Sequence, residues 1–220
     1  MKRIQRGFLV SVVFMVFLQV FAGCSGDDGD RGHVFTAEIM SDQPSDGHIG
    51  VHMWPPDTIT NGPPTLLFGI DGSLREFRAF LSFPLDGFTG QDVVPSSATI
   101  ESATLIVNIV GMGFAATVPT RLDLVTYISG ALKSSDYDAP PLNFSNSVFA
   151  ASRKFKLYHD DVGHDVVIDV TLLMREAQTR GLLDFQVRFC LDFLGAAGFV
   201  SIDDRPDVAL TAPLLTVHYL

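Results

Sequence analysis

Tryptophan occurs once, cysteine twice and basic residues only 15 times in this chain of 220 residues. Two cysteines permit at most one disulfide, which excludes a disulfide-stapled scaffold and a cysteine-rich zinc site. Against the 15 Lys and Arg stand 25 Asp and Glu, a formal charge of −10. Such a surface repels phosphate backbones, so nucleic acid is excluded as a partner. There is no Gly-x-Ser-x-Gly elbow, no His-Glu-x-x-His pair and no phosphate-cradling loop. No carboxylate pair suited to glycoside hydrolysis is singled out. The chain is therefore not expected to be an enzyme. The apolar run Phe8 to Val20, broken by Ser11 and Gln19, would span only about 20 Å as a helix against about 30 Å for a bilayer core. It is too short for a permanent membrane span.

What stands around that run is informative. Met1-Lys2-Arg3-Ile4-Gln5-Arg6 carries three positive charges and no negative one, and the apolar stretch closes on Phe21-Ala22-Gly23-Cys24. A basic start, a short apolar core and small residues before a cut form the pattern of an export signal. The last four residues resemble the lipobox of bacterial lipoproteins, with Phe21 where an aliphatic residue is usual. The resemblance implies cleavage after Gly23, a diacylglyceryl group on the Cys24 thiol and acylation of the new amine. The alternatives are an ordinary secreted protein with a chance cysteine, or an uncleaved anchor. Three parts are thus expected: a signal peptide at 1–23, a lipidated Cys with a flexible acidic tether at 24–33, and a single domain at 34–220.

The expected mature chain loses Lys2, Arg3 and Arg6, leaving 12 basic and 25 acidic residues, a formal charge of −13. Cys24 is consumed by lipid, so Cys190 has no partner for an intramolecular disulfide and no evident base to make it a nucleophile. The tether Ser25 to His33 has no apolar residue, and its Asp27-Asp28-Gly29-Asp30 run lacks the spacing and closing Glu of an EF-hand. In the enteric sorting rule, Asp directly after the lipidated Cys retains a lipoprotein at the inner membrane. Ser25 is not Asp, so the expected address is the cell envelope, at the outer membrane if the organism is Gram-negative.

From Val34 onward the period is two. Phe77, Ala79, Leu81 and Phe83 share one face, as do Ala103, Leu105, Val107 and Ile109, and Leu215, Val217 and Tyr219. The clearest run is Leu183, Phe185, Val187, Phe189, Leu191 and Phe193, alternating with Asp184, Gln186, Arg188, Cys190 and Asp192. Such alternation marks strands with one buried face. The turn-rich segments Asn61-Gly62-Pro63-Pro64, Asp86-Gly87 and Ala139-Pro140-Pro141 separate them. The pattern predicts an all-β fold, an antiparallel sandwich, with one short helix over Leu172 to Arg180. Thr171 would cap that helix, Gly181 would end it, and Leu173 and Ala177 would face the sheet. Cys190 lies on the wetter face of its strand, whereas a free cysteine is usually buried, so a cover over that face, a helix or a long loop, is expected.

Several segments in order resemble the DNRLRE-type β-sandwich domains, a group that includes a carbohydrate-binding module family. They are Asp57-Thr58-Ile59, Arg78 to Leu85, Ile100-Glu101-Ser102-Ala103-Thr104-Leu105-Ile106-Val107 ("I-x-S-A-x-L"), Val167-Ile168-Asp169-Val170-Thr171 ("V-D-V-T"), Phe199-Val200-Ser201 and Pro213 to Tyr219. The resemblance covers roughly residues 45 to 220 and implies a jelly-roll-like sandwich that binds glycan. Family members often carry Trp after the middle strands; here Tyr127 and Tyr137 occupy that region.

Three groups of residues are candidates for a site. Trp54 with Tyr127 or Tyr137 would form a platform for sugar rings, or Trp54 plugs one end of the sandwich. His159, Asp161 and His164 would suit a divalent metal, or form a solvated hairpin. Asp203-Asp204-Arg205-Pro206-Asp207 is an acidic turn that would suit calcium or be a plain loop. No cofactor is required, calcium being the ion these loops would suit. The expected role is a membrane-anchored envelope binding module with a polysaccharide ligand, or else a structural or assembly lipoprotein that holds an envelope protein partner.

Overall fold

The computed structural model describes residues 33–52, 58–193, 195–205, 208 and 211–220. The signal, Cys24, the tether up to Gly32, Trp54, Asp57, Pro206 and Asp207 lie outside the described residues. His33–Leu220 form one compact unit. Of the described residues, 48% are strand and 11% helix.

The strands are β1 (Phe35–Met40), β2 (Gly47–Val51), β3 (Thr58–Asn61), β4 (Thr65–Ile70), β5 (Glu76–Pro84), β6 (Ile100–Gly113), β7 (Thr117–Leu124), β8 (Ser152–Tyr158), β9 (Asp165–Asp169), β10 (Asp184–Leu191), β11 (Phe199–Asp203) and β12 (Leu214–Tyr219). The helices are α1 (Ser134–Tyr137) and α2 (Thr171–Thr179). Strand neighbours run β1-β12-β6-β11-β4-β5-β10-β7-β8, with β2 and β3 beside β5 and β9 beside β6. All the ladders between these strands are antiparallel. The long β6 serves two groups of partners. Its first residues pair with β12 and β9, and its last pair with β11 after a register shift at Ser201/Ile202.

Alternation decides the core. Ala103, Leu105, Val107 and Ile109 of β6, Ala79, Leu81 and Phe83 of β5, and Phe185, Val187, Phe189 and Leu191 of β10 are all buried in it. Phe68 and Phe155 pack on Phe189 with ring centroids 5.5 and 6.5 Å away. The chain does not rely on a disulfide here: Cys190 is free and buried.

Helix α2 lies against β6 and buries Leu173 and Ala177, the pair that the sequence places on its inner face. Its N-terminus differs from the sequence expectation. Val170 is the cap position, and Thr171 is already the first helical residue. Asp169 instead provides the acceptor: its Oδ1 takes the Thr171 N–H at 3.0 Å and the Thr171 hydroxyl at 2.7 Å. A carboxylate accepting an N–H two residues on is an Asx turn, and the Thr171 hydroxyl oxygen in turn accepts the Ala103 N–H of β6 at 3.0 Å. At the other end Gly181 has φ +64, the left-handed conformation that closes a helix. A second helix, α1, was not expected and lies in the segment after β7.

Candidate functional site

The polar face of β5, β10 and β7 looks away from the main core, yet much of it is dry. Gln186, Arg188 and Cys190 of β10 are all buried. The reason is the segment from Val125 to Pro141, which folds over this face. Val125, Leu132 and Tyr137 join Ile49 and Phe80 in a second apolar cluster, with Val51 and Tyr127 packed against it.

Arg188 fastens the cover. Its Nη1 donates to the carbonyls of Asp136, Tyr137 and Ala139 at 3.1, 2.9 and 2.8 Å, and its Nη2 to Asp123 Oδ2 at 2.9 Å. Asp123 also accepts from Ser152 Oγ at 2.6 Å and Arg121 Nε at 2.9 Å. Burial pushes the Asp123 carboxyl up, but the Ser152 and Arg188 donors and the charges of Arg121 and Arg188 outweigh it and hold it below the ordinary value. Cys190 sits beneath, its Sγ 3.6 Å from both Arg121 O and Asp123 Oδ2. Burial, then the neighbouring Asp123 charge, pushes its thiol up to about 11. The cover that the phase of Cys190 calls for is thus the 125–141 loop, not α2.

Of the aromatic platform, the two tyrosines fall among the described residues and Trp54 does not. The Tyr137 ring is buried, with the Arg78 guanidinium 3.9 Å from its centroid. Tyr127 meets Phe80 edge to face at 5.5 Å, and its hydroxyl is out of solvent. Tyr137 is thus part of the apolar cluster beneath the cover, and Tyr127 is half-buried against it.

Beside the cover the same face opens into a groove of about 230 Å³, lined by Ile70, Glu76, Arg78, Arg121, Leu191, Asp192, Phe193, Gly195 and Ala196. Its polar groups are pre-positioned. Arg78 pairs with Glu76 at 3.4 Å and Asp138 at 3.1 Å, Arg121 with Asp123 at 2.9 Å, and Lys154 with Asp192 at 2.7 Å. Phe193 at the rim is 57% exposed. Guanidinium and carboxylate edges can donate to and accept from hydroxyls, and an exposed ring face offers an apolar stacking surface. The alternation of Leu183 to Phe193 marks Phe193, but it assigns the residue to the core phase and not to a rim.

The histidine-rich turn does not converge. His159–Asp161 forms a single 3-10 turn between β8 and β9, and Asp161 Oδ2 accepts the Tyr158 N–H at 2.7 Å. His159 and His164 are exposed. Among the described residues no three His, Cys, Asp or Glu side chains are placed to share one metal ion. In the second acidic turn, Asp203 binds Arg205 through two bonds of 2.8 and 2.7 Å, while Asp204 turns inward and is buried.

An apolar groove of about 280 Å³ lies elsewhere, between the end of α2 and the segment after β5, with Val94, Met174 and Leu182 among its walls and the exposed Val93 and Leu183 on its rim. Among the described residues no helix is long and apolar enough to cross a membrane. No family model matches this chain, and no curated protein matches it.

Proposed function

We propose that this chain is a lipid-anchored envelope protein that presents a jelly-roll-like β-sandwich of the DNRLRE type as a glycan-binding module. The groove at Arg78, Arg121 and Phe193 carries the binding part of this reading. It combines an exposed ring with polar groups held by ion pairs, the mixture that recognises ring faces and hydroxyls together. The antiparallel ladders and the sharing of β6 between two groups of strands support the sandwich. The anchor rests on the basic start, the short apolar run and Cys24. Several acyl chains, each worth about 0.8 kcal/mol per buried methylene, would make attachment stable. Ser25 favours the outer membrane in a Gram-negative cell. We assign the protein no catalytic step.

Metabolic labelling with a fatty-acid probe tests the anchor. Wild type is expected to take the label and Cys24→Ser to lose it; equal labelling of both removes the anchor. A glycan array probed with the full-length protein in detergent tests the ligand class.

A second reading is a structural or assembly lipoprotein that holds a protein partner. Large apolar side chains on loop tips favour it: Phe88 is 90% exposed and Val148 87%. Silence on the array together with a co-purifying envelope protein would support this reading over the first.

A further inference from the structure

Two carboxyl groups meet inside the end of the fold where β2 begins and β11 ends. Asp46, in the turn before β2, is 0% exposed, and Asp204, directly after β11, is 1% exposed. Asp46 Oδ1 accepts the Ser82 N–H at 2.7 Å, and Asp204 Oδ1 accepts the Ser41 hydroxyl at 3.1 Å. The other oxygen of each, Asp46 Oδ2 and Asp204 Oδ2, is out of solvent and has no partner. The two side chains lie within hydrogen-bonding reach of each other. The Tyr127 hydroxyl, also out of solvent and without a close partner, faces Ser82 and Asp46 from the cover.

Neighbouring carboxylates push the pair in the same direction as burial. Asp42 faces the pair from its own turn, Asp184 from β10 by way of Tyr127, and Asp203 from β11, where Asp203 is paired with Arg205. Two ionised carboxylates side by side in a dry site would repel each other and would each lose hydration. A calcium ion would relieve this only with about six to eight oxygen ligands, and no third acidic or histidine side chain converges among the described residues. One proton is enough. It gives an orphaned oxygen its donor and leaves a single negative charge for the Ser41 and Ser82 donors to hold.

We propose that Asp46 and Asp204 share one proton at neutral pH and form a pH-sensitive latch that ties the Ser41–Asp46 turn to the segment after β11. Burial, and then the Asp204 charge, pushes Asp46 well above the ordinary carboxyl value. Burial also pushes Asp204 up, to about 7, with the Asp203 and Asp42 charges adding to the effect and hydrogen bonds from Asp46 and Ser41 opposing it. The folded protein therefore keeps a proton that the unfolded chain releases near 3.8. The latch contributes fully below that value, and its contribution is lost as pH rises through about 7.

Thermal melts of the full-length protein in detergent, from about pH 5 to pH 8.5, test the latch. Wild type, Asp46→Asn and Asp204→Asn are compared, each with calcium and with chelator. From about pH 5 to about pH 7 the wild-type Tm should fall relative to Asp204→Asn by roughly 2–4 °C per pH unit and then level off, with or without calcium. Parallel curves overturn the proposal. So does a calcium-dependent rise in the wild-type Tm that Asp204→Asn abolishes, which would make the pair a cation site. If neither variant folds, carbon NMR of the wild-type carboxyl groups decides: one should titrate near neutrality, and none doing so refutes the shared proton.

Discussion

Arg188 and Asp123 form an ion pair at 2.9 Å with side chains only 2% and 0% exposed. The pair sits under a loop whose carbonyls the same guanidinium binds. One arginine therefore links the sheet to its cover. Removing Asp123 would leave a buried cation with its anion gone. Asp123→Ala should cost roughly 3–5 kcal/mol in equilibrium urea unfolding. A loss below about 1 kcal/mol would mean that water reaches Arg188 and that the face is not dry.

Cys190 reports on the same cover. In the native protein its thiol should react slowly with a thiol reagent, because it is buried and its deprotonation is pushed up to about 11. Denaturant should make the reaction fast. Arg188→Met, which removes the bonds to the cover, should accelerate labelling in the native state. Fast labelling of the folded wild type would refute the cover.

Glu176 does for α2 what Arg188 does for β10. Its carboxylate accepts the Ser145 N–H at 2.8 Å, the Ser145 hydroxyl at 2.7 Å and Arg180 Nε at 2.6 Å. Burial pushes this group up, but the Ser145 donors and then Arg180 outweigh it and hold it below the ordinary 4.5. A depressed carboxyl stabilises the fold above its unfolded value and loses that contribution as pH falls through its lower folded value. Glu176→Gln should therefore destabilise the protein at neutral pH and narrow its difference from wild type in acid, measured by thermal melts. A difference that is constant with pH would contradict the assignment.

Gly69 has φ +92, and a Cβ there would lie 2.2 Å from the carbonyl oxygen of Gly198. That oxygen accepts the Ile70 N–H at 2.7 Å. Gly69→Ala must strain the backbone and displace this contact, so a loss of at least about 1–3 kcal/mol is expected from denaturant melts. A neutral substitution would show that β4 and the chain before β11 do not approach this closely.

The strands were legible because the pattern that marks them is local. Ala103 to Ile109 and Phe185 to Leu191 alternate, and each inward residue is buried. The ends of the same run mislead: Leu183 and Phe193 keep the apolar phase but lie beyond β10, which spans Asp184–Leu191, and are exposed. The polar phase of β10 misleads in the opposite direction. Gln186 and Arg188 read as solvated, yet they are buried by a loop some 50 residues away in sequence, where Arg188 binds Ala139 O at |i−j| = 49. Only the odd position of Cys190 hints at this. Asp46 gives no local sign, and Asp204 shows only as one member of an acidic turn. Each reads as a turn residue, and their meeting is a product of topology.

The groove beside the cover is the centre of the functional account, and a glycan array probed with wild type, Phe193→Ala and Arg121→Ala tests it most directly. Wild type should bind a defined set of glycans, and each substitution should weaken that binding at least about tenfold while the thermal melt stays cooperative. Binding unchanged in both variants, or no binding by a cooperatively folded wild type, would contradict it.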